Sequence, residues 1–171
     1  MYKRQDQNFE TVPFHYLRAD RRLFVNSEYL LQLDDVENPD TQPGRHWFVD
    51  ALVFEPGRNR LFLCEFSFSK SLGGLKKRLE AWAAHWDAVK AAVVRDSALD
   101  ADVSLRPWAF VPEECIPALL RIAEASGFDG SIPDRPPIKI TNLEMTLPWK
   151  YRFWKRTDEA RKPDSIPATM R

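Results

Sequence analysis

The chain has 171 residues, 44% of them hydrophobic and 12% aromatic, which suits one domain able to bury a core without covalent staples. No window holds the roughly 18 apolar residues of a membrane span, and the polar start MYKRQDQNFE lacks the apolar run of a secretory signal, so a cytoplasmic protein is expected. Basic and acidic side chains balance at 25 each, which excludes the strongly basic composition of many proteins that coat nucleic acid.

That balance is not uniform along the chain. Residues 27–40 hold five acids and no base, whereas residues 149–156 (WKYRFWKR) hold four bases and no acid, so the neutral total leaves room for a local basic surface. Cys64 and Cys115 have no CxxC or Cys/His spacing and read as core thiols.

Residues 1–22 carry little periodicity. Asn26 followed by SEYLLQL reads as an N-cap and a short helix, with Tyr29, Leu30 and Leu33 on one side. The Asp-, Pro- and Gly-rich stretch DDVENPDTQPGR is a loop. WFVDALVF (47–54) and RLFLCEFSF (60–68) read as strands buried on both faces, joined by the turn residues EPGRN. Leu72, Leu75, Leu79, Trp82, Trp86, Val89 and Val93 are spaced by three and four, the mark of one long amphipathic helix. VSLRPWAFV (103–111) is a strand in which Pro107 argues for a sheet edge or a bulge. A helix over 114–126 follows, with Gly127 as its cap, and IKITNLEM is a last strand. The expected fold is an α/β sandwich in a single domain over 1–156, with a flexible tail over 157–171.

Each of the two apolar strands holds an acid, Asp50 and Glu65. A tight turn centred on Gly57-Arg58, or a four-residue loop PGRN, makes paired residue numbers sum to 115 and places Asp50 opposite Glu65. Their Cβ atoms would then lie about 4.5 to 5.5 Å apart, a repulsive arrangement unless a positive group sits between them. Mg²⁺, which takes oxygen ligands including one or two carboxylates, is one such group. The same face would carry Ser67, and the Phe66 carbonyl could add an oxygen. The alternatives are a bulge that turns one acid away, or a pairing with Arg45 or Arg78.

An acid in one strand, a hairpin, a second strand with an acid followed by x and a polar residue, and then a long helix together resemble the restriction-endonuclease-like PD-(D/E)XK superfamily. The resemblance covers roughly residues 24–111. It implies an αβββαβ-type core, a central mixed β-sheet flanked by helices, and metal-dependent hydrolysis of phosphodiester bonds in DNA. Asp50 and Glu65 would hold Mg²⁺ or Mn²⁺. Ser67 stands where that superfamily has lysine, Lys70 is the nearest displaced lysine, and Glu28 fits the acid of the first helix, with Glu10 competing. Lys76, Lys77 and Arg78 would steer a phosphate backbone if they lie near the site. Lys150 and Arg152, interleaved with aromatic residues, could contact nucleic acid or simply alternate along a packed strand. The alternative reading is an inactive domain of the same fold that binds nucleic acid or a protein partner. Homodimerisation would allow paired cuts, although no heptad seam signals it.

Overall fold

The computed structural model describes residues 9–34 and 46–148. The Arg45 pairing, the contacts of Lys150 and Arg152, and the 157–171 tail lie outside the described residues.

A 3₁₀ turn, Phe9–Thr11, leads into helix α1, Val12–Arg18. Pro13 stands in its first turn, where a missing N–H costs nothing, and Leu17 is fully buried. The weak periodicity of this stretch hid a helix of only seven residues. Strand β1, Phe24–Gln32, follows in place of the expected helix over 26–33. Tyr29 and Leu31 alternate inward, and antiparallel pairing with the next strand satisfies the backbone. Tertiary pairing overrides the local N-cap signal here.

Strands β2 (His46–Glu55) and β3 (Arg60–Phe66) form the expected hairpin. Its loop is a 3₁₀ turn, Pro56–Arg58, closed by Asn59 in the left-handed region. The pairs run from Glu55↔Arg60 to Ala51↔Cys64, so the register sum of 115 holds.

The long apolar stripe is split between helices α2 (Gly73–Ala84) and α3 (Trp86–Ser97). At the joint the His85 N–H bonds back three residues, to the Trp82 carbonyl, which tightens the turn and closes α2. The stripe remains the core face, with Leu79, Trp82, Val89 and Val93 all buried. Strand β4, Ser104–Val111, pairs parallel to β3. On its other side β5, Lys139–Asn142, begins opposite Trp108, so Pro107 sits where β4 has a neighbour on one side only. Between them α4, Ile116–Ser126, ends at Gly127, whose positive φ and the Phe128 N–H to Ala123 bond make a Schellman-type cap.

The result is an α/β fold with one five-stranded mixed sheet in the order β1-β2-β3-β4-β5, flanked by helices. Helices α2, α3 and α4 cover one face and α1 the other. No helix among the described residues is long and apolar enough to cross a membrane.

One irregularity positions the acids. Ala51 and Val53 pack on the α1 side of the sheet, whereas Trp47 and Val49, of the same parity, pack on the opposite side. An unbroken strand period of two cannot do this, so β2 turns over at Asp50. Strand β1 does the same at the facing level. Val25 belongs to the α1 side and Tyr29 to the other, with Glu28 between them at φ 55°. Both strands turn over together, so the β1–β2 register is unchanged across the kink.

Candidate functional site

The kink coincides with a fork in the sheet. Up to Ala51↔Cys64, β2 and β3 are paired, and beyond that point they part. Residues 46–49 of β2 continue against β1 alone, while Glu65 and Phe66 continue against β4, and the Ser67 N–H bonds to the Phe110 carbonyl at 2.9 Å. Asp50 and Glu65 are the first residues on the two prongs. The ladder stops one step short of them, so the facing pair that the turn predicts is not formed as a ladder pair, although the two acids stand close enough for Asp50 to raise the Glu65 carboxyl.

Asp50 spans the fork. One of its carboxylate oxygens accepts the Phe66 N–H at 2.6 Å, replacing the backbone partner that β2 no longer supplies. Burial nevertheless holds Asp50 above the usual carboxylate range; the Phe66 bond and Arg78 pull it down, and Glu10 pushes it up. Glu65 is pushed up to about 8, first by burial, with Arg78 opposing and Asp50 adding to the rise. Glu65 Oε1 is buried and makes no hydrogen bond. Its nearest counter-charge is Arg78 Nη1 at 3.5 Å, and the same nitrogen donates to the Phe48 carbonyl at 3.0 Å.

The remaining residues singled out from sequence separate into those at the fork and those away from it. Arg78, on α2, reaches the acids, and Glu10, in the turn before α1, acts on Asp50 electrostatically. Glu28 lies on β1 at the level of Asp50, but on a strand and not on the first helix, with its side chain exposed. Ser67 follows on the β3 prong, half-buried. Lys70 points elsewhere, its ammonium 3.0 Å from Glu114. Lys76 is exposed and pairs with Glu80 one turn on, and Lys77 is exposed beside it.

Two aromatic residues at the fork escaped the sequence reading. Phe48 on the β2 prong is 61% exposed, and Phe68, just past β3, is 40% exposed. Both stand in apolar runs that read as uniformly buried, and only the fork leaves them uncovered.

Among the described residues no cluster of three or more His, Cys, Asp or Glu side chains is placed to hold a metal ion. Two carboxylates do fit a hard divalent cation that completes its shell with water, backbone carbonyl and phosphate oxygens. The buried Glu65 oxygen, which makes no hydrogen bond and lies 3.5 Å from the Arg78 guanidinium, is the observation that favours this fit, since its carboxyl needs a further positive partner to ionise below about 8. Comparison with protein-family models, curated proteins and solved structures finds no match to this chain.

Proposed function

We propose that the chain is a divalent-metal-dependent nuclease that hydrolyses phosphodiester bonds of DNA, with Asp50 and Glu65 as the residues that hold Mg²⁺ or Mn²⁺. The observation that carries this reading is the fork itself. It sets one carboxylate at the start of each prong and leaves a buried oxygen of Glu65 without a hydrogen bond. The order α1-β1-β2-β3-α2/α3-β4 supports it too, being the αβββαβ order expected of a restriction-endonuclease-like core.

When bound, the ion would polarise a phosphate oxygen and lower the pKa of a coordinated water. Asp50, tied to the Phe66 N–H, is held in one orientation across the fork. Glu65 would hold the ion as the carboxylate, so its raised carboxyl would give up a proton to do so. Arg78 supplies a guanidinium beside the acids that can offset charge developing on the phosphate, a task that the superfamily gives to the lysine replaced here by Ser67.

The test is cleavage of duplex and single-stranded DNA by the purified chain with Mg²⁺ or Mn²⁺, alongside calorimetric titration of Mn²⁺. Asp50→Ala and Glu65→Ala should abolish both signals, and Asp87→Asn, on the exposed side of α3, should change neither. Intact DNA with no Mn²⁺ binding would overturn the reading. Mn²⁺ binding without cleavage would instead favour an inactive domain of the same fold that binds nucleic acid or a protein partner. The specific observation behind that second reading is the departure at Ser67 together with the engagement of Lys70 by Glu114.

A further inference from the structure

Among the described residues three phenylalanine rings are exposed, and two of them belong to the fork, Phe48 on the β2 prong and Phe68 just past β3. A lone exposed ring is ordinary on a protein surface. Two at one gap, in runs that otherwise bury their large apolar side chains wholly or in part, need a cause.

The backbone of Phe48 stands at the acids. Its carbonyl accepts Arg78 Nη1 at 3.0 Å, and the same nitrogen lies 3.5 Å from Glu65 Oε1. Asp50 is two residues further along β2, about 7 Å at the rise of a strand, and Phe68 is three residues beyond Glu65 on the other prong. The Phe48 ring takes the opposite face from its neighbours. Trp47 and Val49 pack on the α2 side of the sheet, so strand alternation turns Phe48 the other way, where the His46 ring stands edge-on at 6.4 Å. Glu65 shares the parity of Leu61 and Leu63, which pack on the α2 side, and it is from α2 that Arg78 reaches it.

A nucleic-acid strand that brought a phosphate to Glu65 and a base to Phe48 would therefore carry the two to different faces of the sheet at the fork. A duplex holds its bases in pairs inside the helix and cannot do this. The bases of a single strand turn outward and stack on aromatic rings. The two rings stand on different prongs with Asp50, Glu65 and Arg78 at the root between them, so they do not form the continuous apolar patch that a protein partner covers.

We propose that the substrate of the fork is a single strand of DNA, its unpaired bases stacked on Phe48 and Phe68 to either side of the phosphate that the acids receive. The proposal rests on the nuclease reading for the place of that phosphate, whereas the stacking itself needs neither metal nor cleavage.

The test is fluorescence anisotropy of a labelled DNA strand, alone and annealed to its complement, titrated with the full chain in EDTA at about pH 6.5, where the raised Glu65 carboxyl keeps its proton and does not repel phosphate. The single strand should bind at least about tenfold more tightly than the duplex. Phe48→Ala and Phe68→Ala, at exposed positions that should fold normally, should each weaken the single strand at least about fivefold and leave the duplex within about twofold. Phe48→Trp should bind the single strand at least as tightly as the natural chain, and Phe48→Leu, apolar but without a π face, should behave as Phe48→Ala. Cleavage with Mn²⁺ is followed separately: a chain that prefers single strands but cuts no DNA supports the stacking surface and counts against the nuclease reading alone. Equal affinity for the two forms, no binding of either, or unchanged affinity in either alanine variant would overturn the proposal. So would a dimer, seen by light scattering, that Phe48→Ala dissociates, since a second copy would then be what the rings meet.

Discussion

Strand β2 carries a buried or half-buried acid near each end of its pairing with β3, and the sheet treats the two differently. Glu55 closes the hairpin opposite Arg60 inside an intact ladder, with arginines gathered around it. Asp50 sits one step past the end of the same ladder, where the strands part, and its carboxylate takes over a backbone N–H that pairing has abandoned. Where pairing is complete, an acid is left with side-chain cations for company. Where pairing fails, acids from two strands come together with the Arg78 guanidinium beside them. The contrast is between an acid enclosed by an intact ladder and an acid released at the ladder's end.

The largest effect that would sharpen this contrast is at Asp50. Asp50→Ala removes a proposed cation ligand and leaves the Phe66 N–H without its acceptor. Metal-dependent cleavage should fall by more than about a hundredfold, and stability by roughly 1 to 3 kcal/mol, read by urea unfolding in EDTA. Asp50→Asn keeps the acceptor and should recover most of the stability but not the cleavage. If Asn restores both, the charge at the fork is irrelevant and the two ends of β2 are not functionally distinct.

Next is the pH dependence of the fork. The Glu65 carboxyl is raised from an ordinary value to about 8 in the folded chain. The folded state therefore binds this proton more tightly than the unfolded state does. The stability it contributes is complete below the unfolded value and is lost as pH rises through about 8. The metal-free protein should accordingly weaken between pH 5 and 8, by at most about 1.4 kcal/mol per pH unit from this group. Glu65→Gln should flatten the slope approaching pH 8, since the remaining raised carboxyl, Asp50, titrates on its own. Mn²⁺ affinity should run the other way, rising with pH and levelling near 8, because the ion displaces the proton. A slope that persists in Glu65→Gln would place the buried proton elsewhere.

Which of these features sequence could reveal follows from the range of the interaction that decides each. The hairpin register is set by four loop residues, so the pairing from Glu55↔Arg60 to Ala51↔Cys64 is legible locally. The apolar stripe from Leu72 to Val93 is legible as a core face, but its break at His85, where the backbone N–H bonds back to the Trp82 carbonyl, leaves no composition signal. Strand β1 was hidden because Asn-Ser-Glu looks like a helix start, and only the partner strand decides otherwise. The fork is a long-range event, made where β3 follows β4 and β2 follows β1. The exposed rings of Phe48 and Phe68, the turning-over at Glu28 and Asp50, and the diversion of Lys70 to Glu114 all follow from it or from the packing around it. Arg78 could be named in advance as a partner for an acid; that it serves both Glu65 and the Phe48 carbonyl could not.

A smaller effect concerns that guanidinium. Arg78 lowers both fork carboxyls against the push of burial, so Arg78→Ala should move the Glu65 titration above its wild-type midpoint, as followed by carboxyl ¹³C chemical shifts. An unchanged midpoint would mean that the 3.5 Å pair is too screened to matter and that Glu65 lacks any effective counter-charge.

The smallest expected effect lies at the hairpin end and tests the contrast from the other side. Glu55→Gln keeps the side-chain shape and one acceptor, while removing a charge whose nearest ion pair is 3.9 Å away and whose second oxygen has no hydrogen bond. Burying an amide there costs less desolvation than burying a carboxylate, and little attraction is lost in exchange. Urea unfolding at neutral pH should show stability unchanged or raised by no more than about 1 kcal/mol. A loss well beyond that would show that the surrounding arginines already neutralise Glu55. The hairpin end would then be a closed ion-pair cluster, and the contrast with the fork would narrow.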